Sequence, residues 1–204
     1  MREFVVIGTR AVTSQFSLDD MPGTGRRMDV MARAVSAALL LSNGMRRDAT
    51  VRLVLLGPPE APKTLTFSGE RLRSLSPDER SIGGLIYKAL EKVFVDGGEI
   101  DVESSPGVRV ARAGIDELVH LLENEKGRVV YLHEDGEPIA SSSIPKDPIF
   151  IIGDDLGMAD VLHERIKSAA GLCVSLGRQS YQTDQCITIV NHRLDMDAKD
   201  TNVQ

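Results

Sequence analysis

A few acids, one cysteine and a group of arginines are the side chains in this 204-residue chain that could do chemistry. Asp20 stands in SLDDMPG, directly before Met21-Pro22-Gly23. That turn sequence puts its carboxylate on a loop, where it can accept a proton or orient a polar group. The same position suits an aspartate that only caps its own turn. Asp29 leads the apolar pattern DVMARAV and reads as a helix cap. Asp78, in SPDERS, falls in a first helical turn, where the dipole favours acids.

Cys186 lies in SLGRQSYQTDQCITIVNH and could be nucleophile, redox thiol, metal ligand or wall. A nucleophilic cysteine needs a base or a positive neighbour to form thiolate. Asp184 works against that, and His192 would face away from Cys186 if the segment is helical. The simpler role is a small apolar wall residue. The segment itself is ambiguous. CITIV is β-branched and reads as a strand, whereas Ile187, Val190 and Leu194 form a helical stripe with Thr183 as a plausible cap.

The basic residues are concentrated early. Residues 1–80 hold twelve Lys/Arg against nine Asp/Glu, although the whole chain carries −6. Arg27, Arg33, Arg46 and Arg47 are the candidates for a phosphate backbone, because the guanidinium fork matches phosphate oxygens. A solvated basic surface is the plain alternative. No Walker A loop, completed GxGxxG, HExxH, CxxC or GxSxG pattern is present, and the four histidines are scattered, so metal binding is not expected. Two cysteines make no disulfide framework, and no run is long and apolar enough for a membrane helix. MREFVVIGTR reads as a strand, not a signal peptide. A reducing cytoplasm is the expected compartment.

The elements that must position these groups alternate. EFVVIG, VRLVLLG, TLTF, RVVYL, PIFIIG and LCVSL read as strands. DVMARAVSAALLLS, with Val30, Ala34, Val35, Ala38 and Leu41 on one face, reads as a helix, as do GIDELVHLLENE and ADVLHERIKSAA. SPDERSIGGLIYKALEKVF predicts a helix capped by Ser76, with Glu79 completing a capping box and Ile82, Leu85, Ile86, Ala89, Leu90 and Val93 buried. DGGEIDVESSPG reads as a loop. This alternation predicts an α/β fold with a largely parallel sheet. Ligands in such sheets sit beyond the carboxyl ends of strands. Three such ends are Leu132 before HEDG, Gly153 before DD, and Leu176 before GRQS.

SLDDMPGTGRRMDVMARAV, LSNGMRRD, SPDERS, FIIGDDLG and SL…CITIVNHRLD, taken in that order, resemble the archaeal tRNA pseudouridine(54) N1-methyltransferases, the TrmY family of the SPOUT superfamily. The resemblance runs from MREF to the final helix. It implies one SPOUT methyltransferase domain over residues 1–204: a mostly parallel α/β sheet flanked by helices, with a deep C-terminal trefoil knot. It also implies S-adenosyl-L-methionine as cofactor, tRNA as substrate and a homodimer. By similarity, Leu132, Gly153, Ser175, Leu176 and Cys186 line the cofactor pocket, and the last helix begins near Cys186. Gly153 and Gly157 would let backbone approach the cofactor. Asp20 becomes the candidate catalytic acid, since methylating N1 of pseudouridine requires loss of the N1 proton. Tyr181 could stack on the base. GRQSYQT is variable in the family, and no role is carried over to it. An enzyme acting on ribosomal RNA pseudouridine, or a non-catalytic cofactor-binding RNA protein, would share these features.

Overall fold

The computed structural model describes residues 1–60, 62–92, 100–154 and 158–200, with the side chains of 198–200 left aside. In chain order the elements are β1 (Arg2–Gly8), α1 (Met28–Leu39), β2 (Leu40–Leu41), β3 (Gly44–Met45), β4 (Ala49–Leu55), β5 (Lys63–Ser68), α2 (Glu79–Leu90), β6 (Asp101–Ser105), β7 (Val108–Ala111), α3 (Ile115–Asn124), β8 (Val129–Pro138), β9 (Ile149–Gly153), α4 (Asp160–Ala169), β10 (Leu172–Ser175) and α5 (Thr183–Asp200). Eight strands form one sheet in the order β10-β8-β9-β1-β4-β5-β7-β6. From β10 to β4 neighbours run parallel, and from β4 to β6 they run antiparallel.

The parallel strands are apolar on both faces because helices cover both. Phe4 and Val6 of β1 join a core with residues of α1, α2 and α5, including Val35, Ile82 and Ile187. Val5 and Ile7 of the same strand join a second core with Leu118 and Leu122 of α3 and Ile166 of α4. The α/β class and the mostly parallel sheet agree with the sequence.

Several local readings change. DGGEIDVESSPG was expected as a loop, but Asp101–Ser105 pairs with β7 in a hairpin; residues 96–99 lie outside the described set. Asp78, not Ser76, caps α2, accepting the Ser81 N–H at 2.7 Å, while the Ser76 hydroxyl donates to Asp78. Those bonds hold the Asp78 carboxyl down at about 2. Asp29 is not a cap either. Arg27 holds that position in the left-handed region (φ 72), and Asp29 sits buried in the first turn between Arg27 and Arg33. Leu41 leaves α1 for the β2–β3 hairpin and is exposed. Ile82, Ile86, Ala89 and Leu90 of α2 are buried and Leu85 packs on the core; Val93 lies outside the described residues. CITIV is helical in α5, so the 3.6-residue period prevails over β propensity once the stripe has α1 to pack against.

Candidate functional site

The carboxyl ends of β8, β9 and β10 open into a cavity of about 620 Å3. The expected β8 loop is instead an interruption within the strand. Tyr131 pairs with Cys173, yet the next pair is Glu137 with Val174, so residues 132–136 bow out of the ladder. Glycine at 136 allows this, since a Cβ there would fall 2.4 Å from the Val174 carbonyl carbon. The bow delivers Leu132, His133 and Glu134 to one wall.

The end of β9 gives Ile152, Gly153 and Asp154 as the floor. Among the described residues a Cβ on Gly153 would meet only the Met158 side chain, Cε at 3.4 Å and Cγ at 3.8 Å, which is ordinary contact, so none of them requires glycine there. Beyond β10, Ser175 and Leu176 lead into a return held by the Ser175 hydroxyl, which donates to the Gly177 carbonyl at 3.1 Å and accepts its N–H at 3.2 Å. The first turn of α5 closes the cavity with Thr183 and Cys186. The buried Thr183 hydroxyl donates to the Gly153 carbonyl at 3.0 Å, joining the α5 and β9 walls. Leu132, Gly153, Ser175, Leu176 and Cys186, scattered over 55 positions of sequence, therefore line one cavity. Gly157 lies outside the described residues.

The charge of this cavity is selective. Its described lining contains Glu134, Asp154 and Asp160 but no lysine or arginine. Such a wall disfavours phosphate-bearing ligands and suits a ligand carrying positive charge. The volume matches a drug-sized or cofactor-sized molecule. Burial, reinforced by Asp184, pushes the Cys186 thiol up to about 11. Its Sγ points at the Tyr181 carbonyl at 3.7 Å. A neutral thiol in this position is wall, not nucleophile. Tyr181 also lines the cavity and is 41% exposed.

Sequence reasoning missed an aromatic cluster in the same wall. The Tyr131 hydroxyl lies 3.0 Å from His163 Nδ1, and the His133 and His163 ring centroids are 4.4 Å apart. Burial raises the Tyr131 phenol to about 12, so it stays protonated. The i, i+2 spacing of Tyr131 and His133 on a strand was a legible hint of a shared face. Nothing in the sequence places His163 of α4 beside them.

Asp20 is not among the residues lining this cavity. Its exposed carboxylate accepts the N–H groups of Gly23 at 3.0 Å and Thr24 at 3.1 Å, so it organises the MPGT turn. The arginines separate into two kinds. Arg46 is largely buried and forks onto Asp195 at 2.8 and 2.5 Å, and Arg47 donates to the carbonyls of Gly69 and Leu72. Arg27 and Arg33 flank Asp29, and Arg33 also faces Glu79 at 3.5 Å and Asp184 at 3.8 Å. No cluster of three metal-ligating side chains exists among the described residues, and no helix there is long and apolar enough to cross a membrane.

A cofactor-sized pocket beyond the carboxyl ends of parallel strands, with walls that prefer a cation, defines a ligand-binding α/β protein of the kind that supports enzyme chemistry. The chain belongs to the family described as "Putative SAM-dependent RNA methyltransferase", whose model matches residues 1–198. It is similar to the tRNA (pseudouridine(54)-N(1))-methyltransferase of Methanococcoides burtonii, with 41% identity over 96% of each chain. The enzyme of that name from Methanosarcina acetivorans is 44% identical over 96% of this chain and 91% of its own. The one from Thermococcus kodakarensis is 40% identical over 96% and 99%. Among solved structures, Archaeoglobus fulgidus Nep1 bound to S-adenosylhomocysteine superposes with a TM-score of 0.61 at 15% identity, covering 96% of this chain and 97% of its own, a likeness of fold.

Proposed function

We propose that this chain is a tRNA (pseudouridine(54)-N(1))-methyltransferase that uses S-adenosyl-L-methionine. The observation that carries the reading is one cavity, acidic and free of lysine and arginine among its described lining residues, in a chain about 40% identical to enzymes of that name along nearly its whole length. When bound, the cofactor supplies a methyl group already activated on a sulfonium. Leu132, Gly153, Ser175, Leu176 and Cys186 would hold it, with Glu134, Asp154 and Asp160 balancing its positive charge. What remains for the protein is to position the acceptor and remove the N1 proton.

Asp20 is our candidate for orienting or accepting that proton. In a single chain its turn is not part of the cavity wall, so this role requires a homodimer in which a second copy brings Asp20 to the site. The apolar face of α2 is buried within the chain and lends the dimer no support. Arg27 and Arg33 keep a place at the RNA backbone. Arg46 and Arg47 remain candidates for the RNA backbone in this reading, with Arg46 held on Asp195 of α5 and Arg47, exposed, donating to the carbonyls of Gly69 and Leu72. We read residues 1–204 as one SPOUT domain, which the continuous eight-stranded sheet, joining strands from β1 to β10, supports. A C-terminal trefoil knot is supported by the close passage of Gly136 against Val174 and by the return of α5 onto α1. The cytoplasm, where tRNA is handled, is the proposed location.

The test is mass spectrometry of tRNA and ribosomal RNA from cells lacking the gene. Loss of N1-methylpseudouridine from tRNA position 54, with ribosomal RNA unchanged, is the expected result. Loss from ribosomal RNA alone would transfer the assignment to that substrate, and no loss in either would leave a binding protein without turnover.

A further inference from the structure

The antiparallel part of the sheet carries a polar face that α3 and α4 do not reach. The second core engages only Val54 of β4 and no residue of β5 or β7. Along these strands buried and half-exposed positions alternate: Val51, Leu65, Phe67 and Val108 point inward, and Thr50, Arg52, Thr66, Ser68 and Arg109 point out. Alternation of this kind marks a sheet with one solvated face. On that face Thr50 pairs with Ser68 and Thr66 with Arg109 across neighbouring strands. Together with Arg71 they line a groove of about 200 Å3.

The groove is rich in unused donors. Among the described residues, the hydroxyls of Thr50, Thr66 and Ser68 and the guanidinium of Arg71 make no side-chain hydrogen bond or ion pair, and Arg71 is exposed. Arg109 uses Nε and Nη2 on Asp101, each at 3.1 Å. Glu103 is the one carboxylate among the described lining residues, and its Oε1 is held by the Gly107 N–H at 3.0 Å. Among the described residues no aromatic side chain lines the groove to stack on a base, so its chemistry suits an acceptor-only group such as a phosphate diester.

We propose that this groove is a second contact for the tRNA, holding a backbone phosphate remote from the target base; the inference rests on the tRNA reading above. Thr50 is the second residue of β4, whereas the cofactor cavity lies beyond the far ends of the parallel strands. Seven residues of strand separate those ends by roughly 20 Å. A full tRNA can engage both places at once, and a short stem-loop centred on the target base engages only the cavity side.

The experiment compares the wild type, Arg71→Ala and Glu103→Gln on a full-length pseudouridylated tRNA transcript and on a short pseudouridine-containing stem-loop. Steady-state KM and kcat are measured as salt is varied, and tRNA affinity is measured separately by filter retention. Arg71→Ala should raise KM for full tRNA about 3- to 10-fold, lower the salt slope by about one, and leave the stem-loop unchanged. Glu103→Gln should lower KM for full tRNA. Equal effects on both RNAs, no effect of Arg71→Ala, or a Glu103→Gln change in the same direction as Arg71→Ala would overturn the proposal. If the wild type methylates neither RNA, the functional reading fails, while filter retention of tRNA by the three proteins still decides the groove.

Discussion

Thr183→Val removes one hydroxyl and keeps nearly the same shape, at the place where two walls of the cavity are joined. The Thr183 hydroxyl donates to the Gly153 carbonyl at 3.0 Å and is 5% exposed. A buried hydrogen bond of this kind contributes about 1 kcal/mol net, and more if its acceptor is left dry. In a chain of this size, that corresponds to a fall in Tm of roughly 2–4 °C. The bond also sets the distance between the β9 floor and the α5 wall. If the same ~1 kcal/mol is needed to hold the binding-competent arrangement, cofactor affinity falls about fivefold. Calorimetric titration with S-adenosylmethionine reads the second effect and thermal denaturation the first, with Thr183→Ser as the control that restores the donor. A valine variant that matches the wild type in both measurements would refute the latch. A lower Tm with unchanged affinity would make it a purely structural bond.

Three further outcomes follow from the geometry. Cys186→Ser should retain most activity and Cys186→Trp should lose it by filling the cavity; because burial holds the thiol near 11, iodoacetamide should label it slowly at pH 7.5 and faster as pH rises, and rapid labelling at neutral pH would revive the nucleophile. Burial alone would raise the Asp195 carboxyl, but hydrogen bonds from Arg46 and Arg2 hold it below its ordinary value; a depressed folded value means its stabilisation is present above the unfolded pKa of about 3.9 and is lost as pH falls through the folded one, so the urea midpoint should drop below about pH 4, and Asp195→Asn should flatten that drop. Asp20→Asn should slow methyl transfer more than it weakens cofactor binding; since the carboxylate serves both the Gly23 and Thr24 N–H groups and an amide oxygen replaces only one acceptor, proteolysis of the 17–28 loop should be followed alongside, and full activity in a folded variant would remove Asp20 from the chemistry.

The parallel half of the fold was legible because its strands are short apolar runs between turn signals, as in EFVVIG and PIFIIG, and its helices carry clean stripes. The β6–β7 hairpin was not, because Asp, Glu and Ser on an edge strand give no alternation to read, and its partner strand supplies the order. The convergence of Leu132, Gly153, Ser175, Leu176 and Cys186 came from strand-end reasoning and family resemblance together. The cluster of Tyr131, His133 and His163 stayed hidden because α4 brings one member from thirty residues away. The arginines looked alike in sequence. Only the fold distinguishes Arg46, buried on Asp195, from Arg71, which has no side-chain partner among the described residues. The charge preference of the cavity was equally invisible, since it depends on which acids meet and on the described lining residues including no lysine or arginine.

The most direct test of the central claim is single-turnover transfer of a labelled methyl group to tRNA transcripts with and without prior pseudouridylation at position 54. In uridine the ring nitrogen at position 1 is consumed by the glycosidic bond, whereas in pseudouridine it is free and carries a proton. A site that pairs with that N–H should discriminate strongly, because uridine leaves the pairing group unsatisfied. The account predicts labelling of the pseudouridylated transcript alone. Equal labelling of both transcripts, or of neither, would contradict it.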